Sequence, residues 1–116
     1  MSGGCDEFNN FYRRVLLFEK YEKYKITASM IRNRSLHTSI YCKRRNELYT
    51  IGGNQGGNVM TIASAECLDI GQNTFKDLAP MHVKREGAGS CIFESALMIF
   101  VFGGNNMEEE RLKTIE

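Results

Sequence analysis

Short runs of alternating or continuous apolar residues recur along this chain between clusters of Gly, Asn and charged side chains. That is the pattern of β-strands separated by turns. Residues 38–43 and 47–51 are two such runs, joined by Arg44-Arg45-Asn46, and predict a hairpin with a charged turn. Gly52-Gly53 ends the second run and gives the backbone the φ freedom it needs to leave a sheet. Residues 61–69 alternate loosely and predict a third strand, Gly71-Gln72-Asn73 a turn, and residues 74–78 a short outer fourth strand. Residues 87–93 and 97–102 repeat the first hairpin, with Glu94-Ser95-Ala96 as its turn.

One segment carries two readings. Phe11, Val15, Phe18 and Glu22 follow helical spacing, and residues 8–25 contain no Gly or Pro, so alone they form an amphipathic helix. The internal repeat described next makes residues 15–19 and 24–27 the third and fourth strands of a preceding sheet instead, and this reading is preferred.

The repeat is a fixed offset. Leu48-Tyr49-Thr50-Ile51-Gly52-Gly53-Asn54 returns as Ile99-Phe100-Val101-Phe102-Gly103-Gly104-Asn105, 51 positions on. The same offset carries residues 24–30 onto 75–81 and Arg34 onto Arg85, and a weaker glycine pair stands at Gly3-Gly4. Self-similarity at such a period marks a stacked repeat architecture. A period near 50 in which a glycine pair closes an apolar strand resembles the kelch repeat. The matching features are Arg34, residues 48–53, Ala65-Glu66 and residues 74–81, then Arg85-Glu86-Gly87-Ala88-Gly89, Phe102-Gly103-Gly104 and Ile115-Glu116. Phe75 and Tyr24 stand where kelch repeats usually carry Trp, so an aromatic is kept there.

The resemblance implies an all-β fold: two to two-and-a-half four-stranded antiparallel blades of an incomplete kelch-type β-propeller. Residues 1–33 are then the third and fourth strands of a preceding degenerate blade, 34–84 a complete repeat, and 85–116 the first part of the next. Propellers close with about four to eight blades and each blade buries its face against neighbours. The chain is therefore expected to be a fragment of a larger propeller; a homotrimer, with about six blades, is the alternative.

Composition changes this picture little. The chain has 116 residues, 42% hydrophobic and 25% charged, with a net charge of +1, which is ordinary for one globular domain. The charge is uneven, with the basic excess lying between Arg13 and Arg45 and the acidic excess peaking at Glu108-Glu109-Glu110. Lys43-Arg44-Arg45, and Arg13-Arg14 with Tyr21 and Tyr24, offer the cation and aromatic mixture that binds single-stranded nucleic acid. A solvated dipolar surface is the preferred reading, and nucleic acid is not the expected partner. The longest apolar stretch is seven residues, 96–102, where a bilayer span needs about twenty, so no membrane partner is expected. The start of the chain lacks the pattern of a secretory signal, so a reducing, cytoplasmic setting is expected.

Candidate chemistry is sparse. Cys5, Cys42, Cys67 and Cys91 form no Cys-x-x-Cys pair, so no metal is expected, and Cys67 and Cys91 lie in apolar strand patterns where a thiol acts as a small buried hydrophobe. The glycine-rich segment 52–58 lacks the Lys and Ser/Thr of a phosphate loop. His37 and His82 have no nucleophile and carboxylate spaced with them as a catalytic set, so neither an enzyme nor a cofactor is expected. Arg34 and Arg85, repeated in register, are expected to be structural and to pair with a carboxylate such as Glu66 or with free carbonyls. The function expected is a non-catalytic protein–protein interaction module, its partner another protein. The resemblance implies binding through loops at the ends of blades, here Asn54, Gln55 and Asn58 after the first glycine pair and Asn105, Asn106 and Glu108 after the second. The alternatives are a fragment of a propeller enzyme completed elsewhere and a nucleic-acid binder using basic residues 13–45.

Overall fold

The computed structural model describes residues 3–4, 13, 15–18, 24–58, 60–109 and 111–116. Eight strands follow in order: β1 (Leu16–Phe18), β2 (Tyr24–Ile26), β3 (Thr38–Cys42), β4 (Glu47–Ile51), β5 (Ala65–Asp69), β6 (Thr74–Leu78), β7 (Gly89–Phe93) and β8 (Met98–Phe102). Strands β3 to β6 form one antiparallel sheet in sequence order, and β1–β2 and β7–β8 are separate antiparallel pairs. No helix occurs among the described residues. The fold is all-β: one complete four-stranded blade flanked by two half-blades.

The complete blade shows how its sequence sets the register. Ile51 stands opposite Thr38 on one side and Ala65 on the other, and Ala65 faces Leu78, so the apolar positions line up across the sheet. The inner strand β4 is buried along nearly its whole length, whereas β6, with Lys76 and Asp77, is largely exposed. Charged side chains on the outermost strand guard it against edge pairing. At the hairpin turn, Asn46 takes φ +52 and donates its N–H to the Lys43 carbonyl. Asn tolerates this left-handed conformation; Leu97 occupies the matching place in the next hairpin at φ +52, where a branched side chain is strained.

Two apolar clusters join the blades. Val15 and Met30 pack with Leu68 and Phe75, seating the first half-blade on the complete one. Cys42, Tyr49, Ile51, Ala65 and Cys67 pack with Ala88, Ile92, Ile99 and Val101, seating the second. Polar contacts supplement this seam: Thr38 and Ser90 share a hydroxyl hydrogen bond of 2.6 Å, and the Lys43 N–H donates to the Glu94 carboxylate at 3.1 Å.

The glycine pairs lie at these junctions. Gly53 donates its N–H to the Arg85 carbonyl at 2.7 Å, and Gly4 donates to the Arg34 carbonyl at 2.8 Å, the same bond one repeat earlier. A Cβ on Gly52 would lie 2.5 Å from the Arg85 oxygen, so at φ +67 this position needs glycine both for its backbone and for the close approach of the next blade.

Two expectations are corrected and a third holds for the described residues. The third strand begins at Ala65 rather than at 61, because the groups before it are spent elsewhere: the carbonyls of Ile62 and Ala63 accept from Arg85 and Met81, and that of Ser64 from Gly52. Cys91 is exposed, not buried, because Ser90 and Ile92 face the complete blade and alternation turns Cys91 and Phe93 outward. The strand reading of the early segment holds for Leu16–Phe18 and Tyr24–Ile26, while residues 8–12, 14 and 19–23, which carried part of the helical spacing, lie outside the described residues.

Candidate functional site

The repeated arginines are part of the frame. Arg34 is fully buried and donates to the Glu66 carboxylate at 2.5 Å and to the carbonyls of Gly52 and Ser64 at 2.8 and 3.1 Å. Arg85 does the same with Glu116 at 3.0 Å and the carbonyls of Gly103 and Thr114 at 3.0 Å each. Burial pulls the Arg34 guanidinium below its ordinary value and Glu66 draws it back up. Burial pushes the Glu116 carboxyl up, and the N–H groups of His82 and Val83 with the Arg85 guanidinium outweigh it, leaving the carboxyl below its usual range. Neither arginine is free to meet a partner.

The loops that follow the glycine pairs come together at the junction between the complete blade and the last hairpin. Ser35 and Asn54 pair through both main-chain groups at 2.9 and 2.8 Å, and Glu86 and Asn105 do so one repeat later at 3.0 Å each way. The Glu86 carboxylate turns back to the first loop, where it accepts from the Asn54 side-chain amide at 2.6 Å and from the Thr61 hydroxyl at 2.9 Å. Asn54 also accepts the Gly56 N–H at 2.7 Å. In the second loop the Asn106 side chain accepts the N–H groups of Glu108 and Glu109 at 2.9 and 2.8 Å and donates to the Lys84 carbonyl at 3.1 Å.

Between these elements lies a cleft of 390 Å³ lined by Thr61, His82, Val83, Lys84, Asn106, Met107 and Glu108. Its chemistry is mixed: an exposed cation and carboxylate, a thioether that is 75% exposed, and the exposed His82 ring, whose Nδ1 lies 3.1 Å from Glu116. Such a surface suits recognition of polar and apolar groups together.

The six side chains expected at the site divide by what they already hold. The amides of Asn54 and Asn106 are engaged within the loops. Asn58, Asn105 and Glu108 are exposed, and Gln55 is half-buried with its N–H on the Met60 carbonyl. Asn106 and Glu108 line the cleft, while Glu86, Thr61, Lys84 and Met107 are contributors that sequence reasoning missed. The one signal for Glu86 was a break in the repeat, since Ser35 stands 51 positions before it.

The other candidates fall elsewhere. Lys43, Arg44 and Arg45 are exposed on the turn between β3 and β4, where Arg45 pairs with Glu47 at 3.2 Å. Arg32 pairs with Asp77, and Arg13 is exposed with a guanidinium N–H on the Ile31 carbonyl at 3.4 Å. Arg14, Tyr21, Cys5 and Glu110 lie outside the described residues. His37 is half-buried, and burial together with Arg34 pushes its ring down to about 4. Cys67 is fully buried, and burial pushes its thiol up to about 11. Among the described residues no three His, Cys, Asp or Glu side chains gather as a metal site, and no helix is long and apolar enough to cross a membrane.

A Dictyostelium discoideum protein named as kelch repeat-containing is 27% identical to this chain over 115 residues. The repeats are similar to those of a kelch protein. The match covers 97% of the chain, so Gly52-Gly53, Gly103-Gly104, both arginines and the complete blade fall within the span compared. The chain spans 17% of the length of that protein. A scan against models of known protein families finds no match. Similarity to a kelch-repeat protein and the antiparallel sheets are consistent with blades of a partial β-propeller.

Proposed function

We propose that the chain is a non-catalytic, cytoplasmic protein-binding module within a larger propeller, and that partner contact is made by the face carrying residues 54–58 and 105–109. The observation that carries this reading is an open cleft lined by Thr61, Lys84 and, from the second loop, Asn106, Met107 and Glu108, while Glu86 holds Asn54 of the first loop and Thr61 at its edge. Interface-type recognition needs an apolar anchor point surrounded by polar groups, and Met107 between Lys84 and Glu108 supplies that arrangement. Frame contacts are made by buried Arg34 and Arg85, which leaves the loop side chains available without loss of the fold.

The test replaces Gln55, Asn58, Asn105, Met107 and Glu108 together by alanine in the full-length protein. A partner is first trapped by in-cell crosslinking through the natural sequence and identified, and its affinity for both forms is measured by titration. A drop of about tenfold or more with an unchanged melting temperature supports the reading, since a few central residues carry most of an interface. Unchanged affinity rejects this face.

A further inference from the structure

We propose that Glu86 is a positioning residue that couples the two candidate loops, so that they meet a partner as one surface; this rests on the reading of that face given above. Its main chain is paired with Asn105 in both directions at 3.0 Å. Its carboxylate crosses the blade junction to the Asn54 amide at 2.6 Å and the Thr61 hydroxyl at 2.9 Å. Each loop is internally braced by an asparagine: Asn54 holds the Gly56 N–H, and Asn106 holds those of Glu108 and Glu109. Glu86 therefore links two turns that the chain separates by about one repeat.

The chemistry favours a firm link. An ionised carboxylate receiving an amide and a hydroxyl makes charge-assisted hydrogen bonds, about twice as strong as neutral ones. The link is also particular to this junction. At the preceding junction the register position of Glu86 is Ser35, whose main chain makes the same pairing with Asn54 but whose side chain is one methylene shorter and ends in a hydroxyl instead of a carboxylate. Ser35 thus repeats the frame with no carboxylate to reach back, and the Glu86 carboxylate holds Thr61, which lines the cleft with the second loop.

Amide hydrogen exchange at Gly56 in the full chain tests the coupling through four proteins: wild type, Asn106→Ala, Glu86→Ala and the double variant. Freeing the second loop with Asn106→Ala is expected to speed exchange at Gly56 about fivefold when Glu86 is present and to leave it unchanged in the Glu86→Ala background. Glu86→Gln keeps an oxygen for both donors and is expected to exchange as wild type. Glu86→Asp shortens the reach by one methylene and is expected to uncouple the loops; it carries the test if Glu86→Ala does not fold. The same Asn106→Ala effect in the wild-type and Glu86→Ala backgrounds, or no effect of Asn106→Ala at Gly56, overturns the proposal. No partner enters this measurement, so its failure leaves the protein-binding reading intact, and failure of the loop substitutions to weaken binding leaves the coupling intact.

Discussion

Glu66 and Glu116 receive the same three groups from positions one repeat apart: the N–H groups of Ile31 and Arg32 with the Arg34 guanidinium, and those of His82 and Val83 with the Arg85 guanidinium. A buried ion pair contributes little over an apolar substitute, but removal of one partner strands the other charge in a dry site. Glu66 is fully buried, whereas Glu116 is 17% exposed, so water can reach the second site. Glu66→Ala is therefore expected to cost about 3–5 kcal/mol in urea unfolding, and Glu116→Ala less than half of that. Equal losses would contradict the difference in burial.

Gly52 and Gly103 have nearly the same backbone, at φ +67 and +69, but different surroundings. A Cβ on Gly52 would meet the Arg85 oxygen at 2.5 Å, whereas the nearest atom to one on Gly103 is the Leu112 oxygen at 4.0 Å. Gly103→Ala should cost about 1–2 kcal/mol, the penalty of the left-handed conformation. Gly52→Ala should cost roughly 1–3 kcal/mol more, because the blades must separate to admit the methyl group. Denaturant midpoints of the two variants check this, and matching values would show that the blade junction yields freely.

His37 sets a pH dependence. Its folded value is about 4 against an ordinary 6.5, so the folded state resists a proton that the unfolded chain accepts. Stability is full above pH 6.5 and falls as the pH drops toward 4, by up to about 1.4 kcal/mol per pH unit. Urea midpoints between pH 7.5 and 5 are expected to show this slope in the natural sequence and to lose it in His37→Gln. A slope that survives the substitution would assign it to another group.

The strands were legible because apolar alternation, Asn- and Gly-bearing turns and the 51-residue offset all pointed to the same elements. Arg34 was read as structural from its repetition alone, and its contact with Glu66 bears that out. The faint pair Gly3-Gly4 also held, since Gly4 makes the bond to Arg34 that Gly53 makes to Arg85. What stayed illegible was the destination of individual polar groups. Residues 61–64 look like strand, yet the carbonyls of Ile62, Ala63 and Ser64 serve Gly52 and the following connection. Glu86 was read only as part of the opening of the second repeat, because its role depends on the side chain of Asn54 across the junction and on no local pattern. Cys91 sits in an apolar run whose alternation fixes two faces without saying which one a neighbouring blade covers.

The clearance at Gly52 belongs to one blade, while the Arg85 carbonyl it admits belongs to the next. Each repeat thus carries its own socket and the plug for the repeat before it. A gene segment encoding one such period can be duplicated in tandem and arrive already fitted at both ends. Blade number in this architecture is then free to grow one copy at a time, with later divergence, such as serine to glutamate at the Ser35 and Glu86 position, left to tailor individual junctions.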